Sequence, residues 1–183
     1  MEQSNLKPFL RKNIDILFVG LNPAKGSSEN RHYFSVNQAF WNQLYDSGLI
    51  ITQVDKMNAD DLVFGDNKYN FNNSNYGITD LITEFAESDS TKIKPTLSDV
   101  KRIIEIVLNY QPKIVVILHG KVLSFLFRYL RKPQPSSNQG YLGKIIDNLD
   151  TDFYAIAFPH GNNIPSKEKI LNYVQLKEKL RYD

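Results

Sequence analysis

Three apolar runs punctuate the chain: "IDILFVG" (14–20), "KIVVILHG" (113–120) and "DFYAIAFP" (152–159). Each is short, rich in β-branched or aromatic residues, and stops at Gly or Pro, which predicts buried strands. Apolar positions recur at helical spacing over 37–49 ("NQAFWNQLYDSGL"), 97–111, 120–132 and 165–182. Strands separated by amphipathic helices are joined as parallel strands, so the pattern predicts an α/β layered fold around a mainly parallel sheet. A further strand is expected within 60–80 or 140–147. The segments 65–77 ("GDNKYNFNNSNYG") and 134–143 ("QPSSNQGYLG") read as loops. No repeat or linker divides the chain, which predicts one domain over 1–183 with 1–13 as an N-terminal extension.

Composition narrows the chemistry. With 183 residues, 42% of them hydrophobic, the chain has material for one sizeable core. Twenty-two basic against twenty acidic residues leave a net charge of +2, so binding to a polyanion has to come from local placement of charge. The absence of cysteine excludes disulfides, a catalytic thiol and cysteine-ligated clusters. His32, His119 and His160 lie in three separate segments without a carboxylate at ligand spacing, so no metal is expected. No signal-like N-terminus and no run of eighteen apolar residues occurs, which predicts a soluble, cytoplasmic protein without membrane contact.

In parallel α/β sheets, ligands bind beyond the carboxyl ends of the strands. The loops there read "GLNPAKGSS", "HGK" and "FPHGNNIPSKEK". Asn22 projects from a turn made rigid by Pro23; it is either an ordinary turn former or an amide that orients a water. Tyr33 and Phe34 offer a flat wall for a base or sugar, or two core rings. Backbone groups of Gly20 and Leu21 can read a base edge. His160 can donate to a departing group or cap the helix that follows. Gly161, Asn162, Asn163 and Ile164 form a polar loop with one apolar tip, suited to entering a groove. Ser166 marks a helix N-terminus able to accept a phosphate, and Ser27 and Ser28 sit in a small-residue loop with backbone donors. Lys121 in "HGK" is a further candidate DNA contact. Asp80 either lies beside the crevice or caps a helix over "DLITEF".

The stretch "GLNPAKGSSENRHYFSVNQAFWNQLYDSGL" resembles the first signature of the mismatch-specific uracil/thymine-DNA glycosylases, a branch of the uracil-DNA glycosylase superfamily. "NYGITDLI", "YQPKIVVILHGKVL" and "FPHGNNIPSKEKI" resemble further parts of that pattern in the same order. The resemblance implies a three-layer αβα sandwich with a short, mainly parallel sheet, and no metal or cofactor. It implies that Asn22 positions the hydrolytic water and that Phe34 stacks on an extruded base. His160 to Ile164 would contact the leaving base and fill the gap it leaves in the duplex. Two departures stand out: Ala24 replaces the usual Gly after Asn-Pro, and His160-Gly161-Asn162 replaces the usual second loop of this branch.

Together these readings predict a monomeric, monofunctional DNA glycosylase that hydrolyses the N-glycosidic bond of uracil, or of mispaired thymine or a related base, in base excision repair. The partner is DNA holding a deaminated or mispaired base. Alternatives are a glycosylase for hypoxanthine or xanthine, a catalytically weak DNA-binding protein, and a nucleoside hydrolase, for which the polar loop has no use.

Overall fold

The computed structural model describes residues 2–182. In chain order the elements are β1 (Glu2–Gln3), β2 (Ile16–Gly20), α1 (Lys25–Asn30), α2 (Ala39–Asp46), α3 (Ala59–Val63), β3 (Tyr76–Asp80) and β4 (Phe85–Ala86). There follow α4 (Leu97–Tyr110), β5 (Ile114–Ile117), α5 (Gly120–Tyr129), β6 (Gly140–Gly143), β7 (Asp152–Ala155) and α6 (Ser166–Tyr182). Among the described residues, five strands form the central sheet in the order β3-β2-β5-β7-β6; the first four are parallel and β6 is antiparallel.

Every residue of β2 and β5 is buried, because helices cover both faces of the sheet. That is why these strands read as unbroken apolar runs. The two-residue period still sorts their side chains into layers. Ile16, Phe18, Ile114 and Val116 pack with Phe40, Trp41 and Leu44 of α2 and Tyr173, Leu176 and Leu180 of α6. Leu17, Val19, Val115 and Ile117 pack with Val100, Ile103 and Val107 of α4 and Leu123 and Leu126 of α5. The result is the three-layer αβα architecture.

Both windows expected to hide a strand contain one, so the loop readings need correction. Residues 134–143 include all of β6, and 65–77 include the first two residues of β3. β6 is a partly exposed edge with Gly140 and Gly143 at positive φ, so no apolar run marks it. No helix follows Asp80: the chain runs through a turn into β4, which removes the capping reading of that residue. The N-terminal extension packs into the fold. The Phe9 N–H donates to the Ile78 carbonyl (2.9 Å) and the Ile78 N–H to the Phe9 carbonyl (3.1 Å), covering the open edge of β3.

The first crossover, through α1 to α3, places α2 and α3 on one face of the sheet, and the next, through α4, runs over the other. The carboxyl ends of β2 and β5 therefore diverge into a crevice at the switch point. Among the described residues, no helix is long and apolar enough to cross a membrane.

Candidate active site

Asn22 follows β2 and is half-buried. Its Nδ2 donates to the carbonyls of Glu87 (2.8 Å) and Pro23 (2.9 Å). Two carbonyl oxygens can only accept, so the amide nitrogen faces them and Oδ1 faces away. The orientation that frees an acceptor for a water is thus enforced by the backbone. The bracing segment is itself tied down, since the Glu87 N–H donates to the Pro23 carbonyl (3.0 Å).

Phe34 occupies the left-handed region at φ +53°, an uncommon place for an aromatic residue. Its ring is half-buried and stacks on Phe40 at 4.0 Å and 24°, with Trp41 edge-on at 6.1 Å. Three contacts hold the strained turn. The buried Asp60 carboxylate receives His32 Nδ1 (2.8 Å) and the Tyr33 N–H (2.7 Å), and Asn30 Nδ2 donates to Ser35 Oγ (3.1 Å). Burial pushes the Asp60 carboxyl up, and the bonds from Tyr33 and His32 pull it partly back. Asp61 also lies within 4.8 Å of the cluster's possible ligand atoms. Because the His32 nitrogen facing the carboxylates is hydrogen bonded to Asp60, the group works as a clamp on the loop.

Asp80 ends β3 directly beside Gly20, its register partner. It lies on the face of Tyr76 and Ile78, the layer that also holds Tyr33 and Phe34. It is 5% exposed, and its Oδ2 has no hydrogen-bond partner among the described residues. Burial pushes its carboxyl up to about 7, against the opposing pull of Arg102. Arg102 reaches across from α4 and donates to the carbonyls of Asp80 and Leu81. Gly20 makes the approach possible, because a Cβ there would lie 2.1 Å from Asp80 Oδ1. A buried carboxyl is thus held over a glycine at the carboxyl end of the sheet.

On the far side, Phe158 bridges the two loops, with its ring 5.9 Å from Phe34 and 5.1 Å from His160. His160 is exposed, and both partial burial and Lys169 lower its proton affinity, which favours the neutral imidazole. The loop is compact: Asn162 Nδ2 donates to the carbonyls of Phe158 (2.7 Å) and His160 (3.2 Å), and Gly161 sits at φ +72°. Gly161, Asn162 and Asn163 are exposed and Ile164 is half-buried, so the loop projects beyond the crevice.

Other expected contacts sit differently. Tyr33 is buried against Phe9, and its hydroxyl has no hydrogen-bond partner among the described residues. It backs the site from the core. Leu21 packs in the opposite layer, and the carbonyls of Gly20 and Leu21 accept from Leu81 and Ile82. Ser27 and Ser28 are buried within α1, where a loop was expected; Ser28 Oγ accepts from the Asn5 N–H. The Lys121 ammonium donates to the carbonyls of Ser90 and Ile93, so it ties a turn to α5. Ser166 is exposed at the start of α6, with its Oγ accepting from Gln43. A hollow of about 570 Å³ lined by residues 10–13 and 109–111 lies at the opposite, amino end of the strands.

Sequence reasoning missed Asp60, Gln43 and Lys169. All three are buried polar side chains whose partners lie on other segments. In the sequence each is only a polar residue in or beside a helical run, with nothing to mark the partner that gives it meaning.

An asparagine held by two carbonyls, an aromatic residue in the left-handed region and a buried carboxylate lie on segments that follow or end strands of a doubly wound αβα sheet. The family model of the uracil DNA glycosylase superfamily matches residues 8–177, and the chain belongs to that superfamily. A search of curated proteins returned no match. Membership supports a DNA-glycosylase type of function, a hydrolase acting on DNA in base excision repair.

Proposed function

We propose that this protein is a monofunctional glycosylase that releases uracil, or another deaminated base, from DNA. The observation that carries the reading is the fixed amide of Asn22, whose Oδ1 is turned away from its two carbonyl partners. An acceptor held there orients a water toward the sugar carbon without acting as a strong base.

The target nucleotide leaves the stack at a cost of a few kcal/mol, roughly, and least where it is mispaired. Its base then lies on the part of Phe34 not covered by Phe40. Asp80 meets the base edge from below. Deamination replaces an amino group by a carbonyl and puts a proton on the neighbouring ring nitrogen, so uracil, hypoxanthine and xanthine all present an N–H there. Cytosine and adenine present a lone pair instead. In its ionised form the carboxylate accepts from the first group and repels the second, which makes Asp80 a filter against cytosine and adenine as pH rises through about 7.

The C1′–N bond lengthens and its electron pair moves onto the base, while the sugar gains oxocarbenium character. Neutral His160 donates to the departing anion. The water held by Asn22 adds to C1′ and gives up a proton to solvent, leaving an abasic site. Gly161, Asn162, Asn163 and Ile164 fill the gap in the duplex.

Single-turnover base release from duplexes with uracil, thymine, hypoxanthine, xanthine, cytosine or adenine, opposite each partner base, tests the reading. Release of the bases with a ring N–H and retention of cytosine and adenine is expected. A protein that binds these duplexes and releases none of the bases is a DNA-binding member of the fold.

A further inference from the structure

Lys169 holds the first position of the core stripe of α6, followed by Tyr173, Leu176 and Leu180 at helical spacing. It is 2% exposed. Its Nζ donates to the carbonyl of Pro159 at 3.2 Å, and among the described residues it forms no ion pair. The same carbonyl also accepts from Gln43 Nε2 at 3.0 Å, and Gln43 in turn donates to Ser166 Oγ at 3.1 Å. Pro159 is therefore satisfied without the lysine. An ammonium withdrawn from water with one shared carbonyl destabilises a fold, and an apolar side chain of similar length would leave no orphaned acceptor on Pro159. Stability does not account for Lys169, but its place does. The carbonyl it holds belongs to the residue just before His160, and its charge acts on the His160 ring. Burial lowers the proton affinity of the lysine, and Glu168, exposed at the start of α6, is the neighbour whose charge opposes that shift and favours the protonated form.

We propose that Lys169 is a positioning residue for base departure: its buried ammonium braces the second loop and sets a positive charge behind His160, where the excised base becomes an anion. The proposal rests on the reading of His160 as the donor to the leaving base. No proton is transferred from Lys169. The C1′–N electron pair goes to the base, and the ammonium acts through space, where low dielectric strengthens its field.

Two variants separate brace from charge. Lys169→Met removes both, and Lys169→Gln keeps a donor for Pro159. Both are expected to fold, with Lys169→Met at least as heat-stable as the parent, and to bind duplex DNA with parental affinity. Single-turnover release of uracil should slow by about tenfold or more in each, less than on losing a direct donor. Release of 5-fluorouracil, a better leaving group, should slow less. The His160 ring, followed by NMR, should titrate at higher pH in both. Parental uracil release by Lys169→Gln, or equal slowing on both bases with an unshifted His160 titration, overturns the proposal. A parental protein that releases neither base refutes the glycosylase reading by itself. The titration and melting of the variants still test the electrostatic link in that case, and an unshifted ring overturns it.

Discussion

Asp80→Asn should make the protein more stable at neutral and alkaline pH, by an amount set by the burial of one carboxyl. The Asp80 carboxyl is pushed up from its ordinary value of 3.8 to about 7. Between those two values the native chain keeps a proton that the unfolded chain has released. Unfolding therefore takes up no proton at this site but releases one, and stability falls as pH rises through the window. Each unit contributes about 1.4 kcal/mol, so the full window of 7 − 3.8 ≈ 3 units is worth roughly 4 kcal/mol, and the part above pH 5 about 3 kcal/mol. Asn has the same shape and cannot ionise. Denaturant unfolding of both proteins at pH 5, 6, 7 and 8 measures the difference between them, in which other titrating groups cancel. The variant should gain about 3 kcal/mol on the parent between pH 5 and 8, with little change above that. A difference that stays constant across the series would show that Asp80 is solvated or paired in the native state, and the proposed reading of the base edge by Asp80 would fail with it.

Other expectations concern the walls of the site. Asn22→Ala removes two hydrogen bonds to backbone carbonyls and should lower stability by about 1–2 kcal/mol while slowing base release about a hundredfold or more; parental release would remove Asn22 from the chemistry. Phe34→Ala should weaken binding of the extruded base by about 1–3 kcal/mol, read from duplex binding with and without the lesion. Because the residue sits at φ +53°, Phe34→Gly should melt higher than Phe34→Ala, by about 1 kcal/mol in stability; equal melting would argue against stored strain. Asp60→Ala loosens the same turn at His32 and Tyr33 and should raise the enzyme concentration needed for half-maximal release, with the saturated rate less affected.

What the sequence disclosed follows from where each residue's partners lie. β2, β5 and β7 were legible because strands covered on both faces carry little but apolar side chains. β3 was not, since Gly77, Thr79 and Asp80 break the run; Gly77 is where the Phe9 backbone approaches too closely for a side chain. The helices α2, α4, α5 and α6 show a stripe, whereas α3 is five residues long and too short to reveal one. Asn22 and Phe34 stand out in the sequence because what marks them is local, a turn and a ring at fixed spacing. Asp60 and Gln43 could not, as each takes its meaning from partners 27 and 116 residues away. Lys121 and the Ser27–Ser28 pair show the reverse case. Their composition suited DNA contact, and their side chains are taken up inside the fold.

The central claim is that a water held by Asn22 attacks a base-bearing sugar carbon in DNA. Its most direct test is single-turnover release of free uracil from a duplex with one uracil opposite guanine, by the parent and by Asn22→Ala, both at saturating enzyme. Release by the parent with an intact abasic strand as the other product is expected, and a rate lower by about a hundredfold or more in a variant that still binds the duplex. Equal rates for the two proteins, or strand cleavage in step with base release, would contradict it.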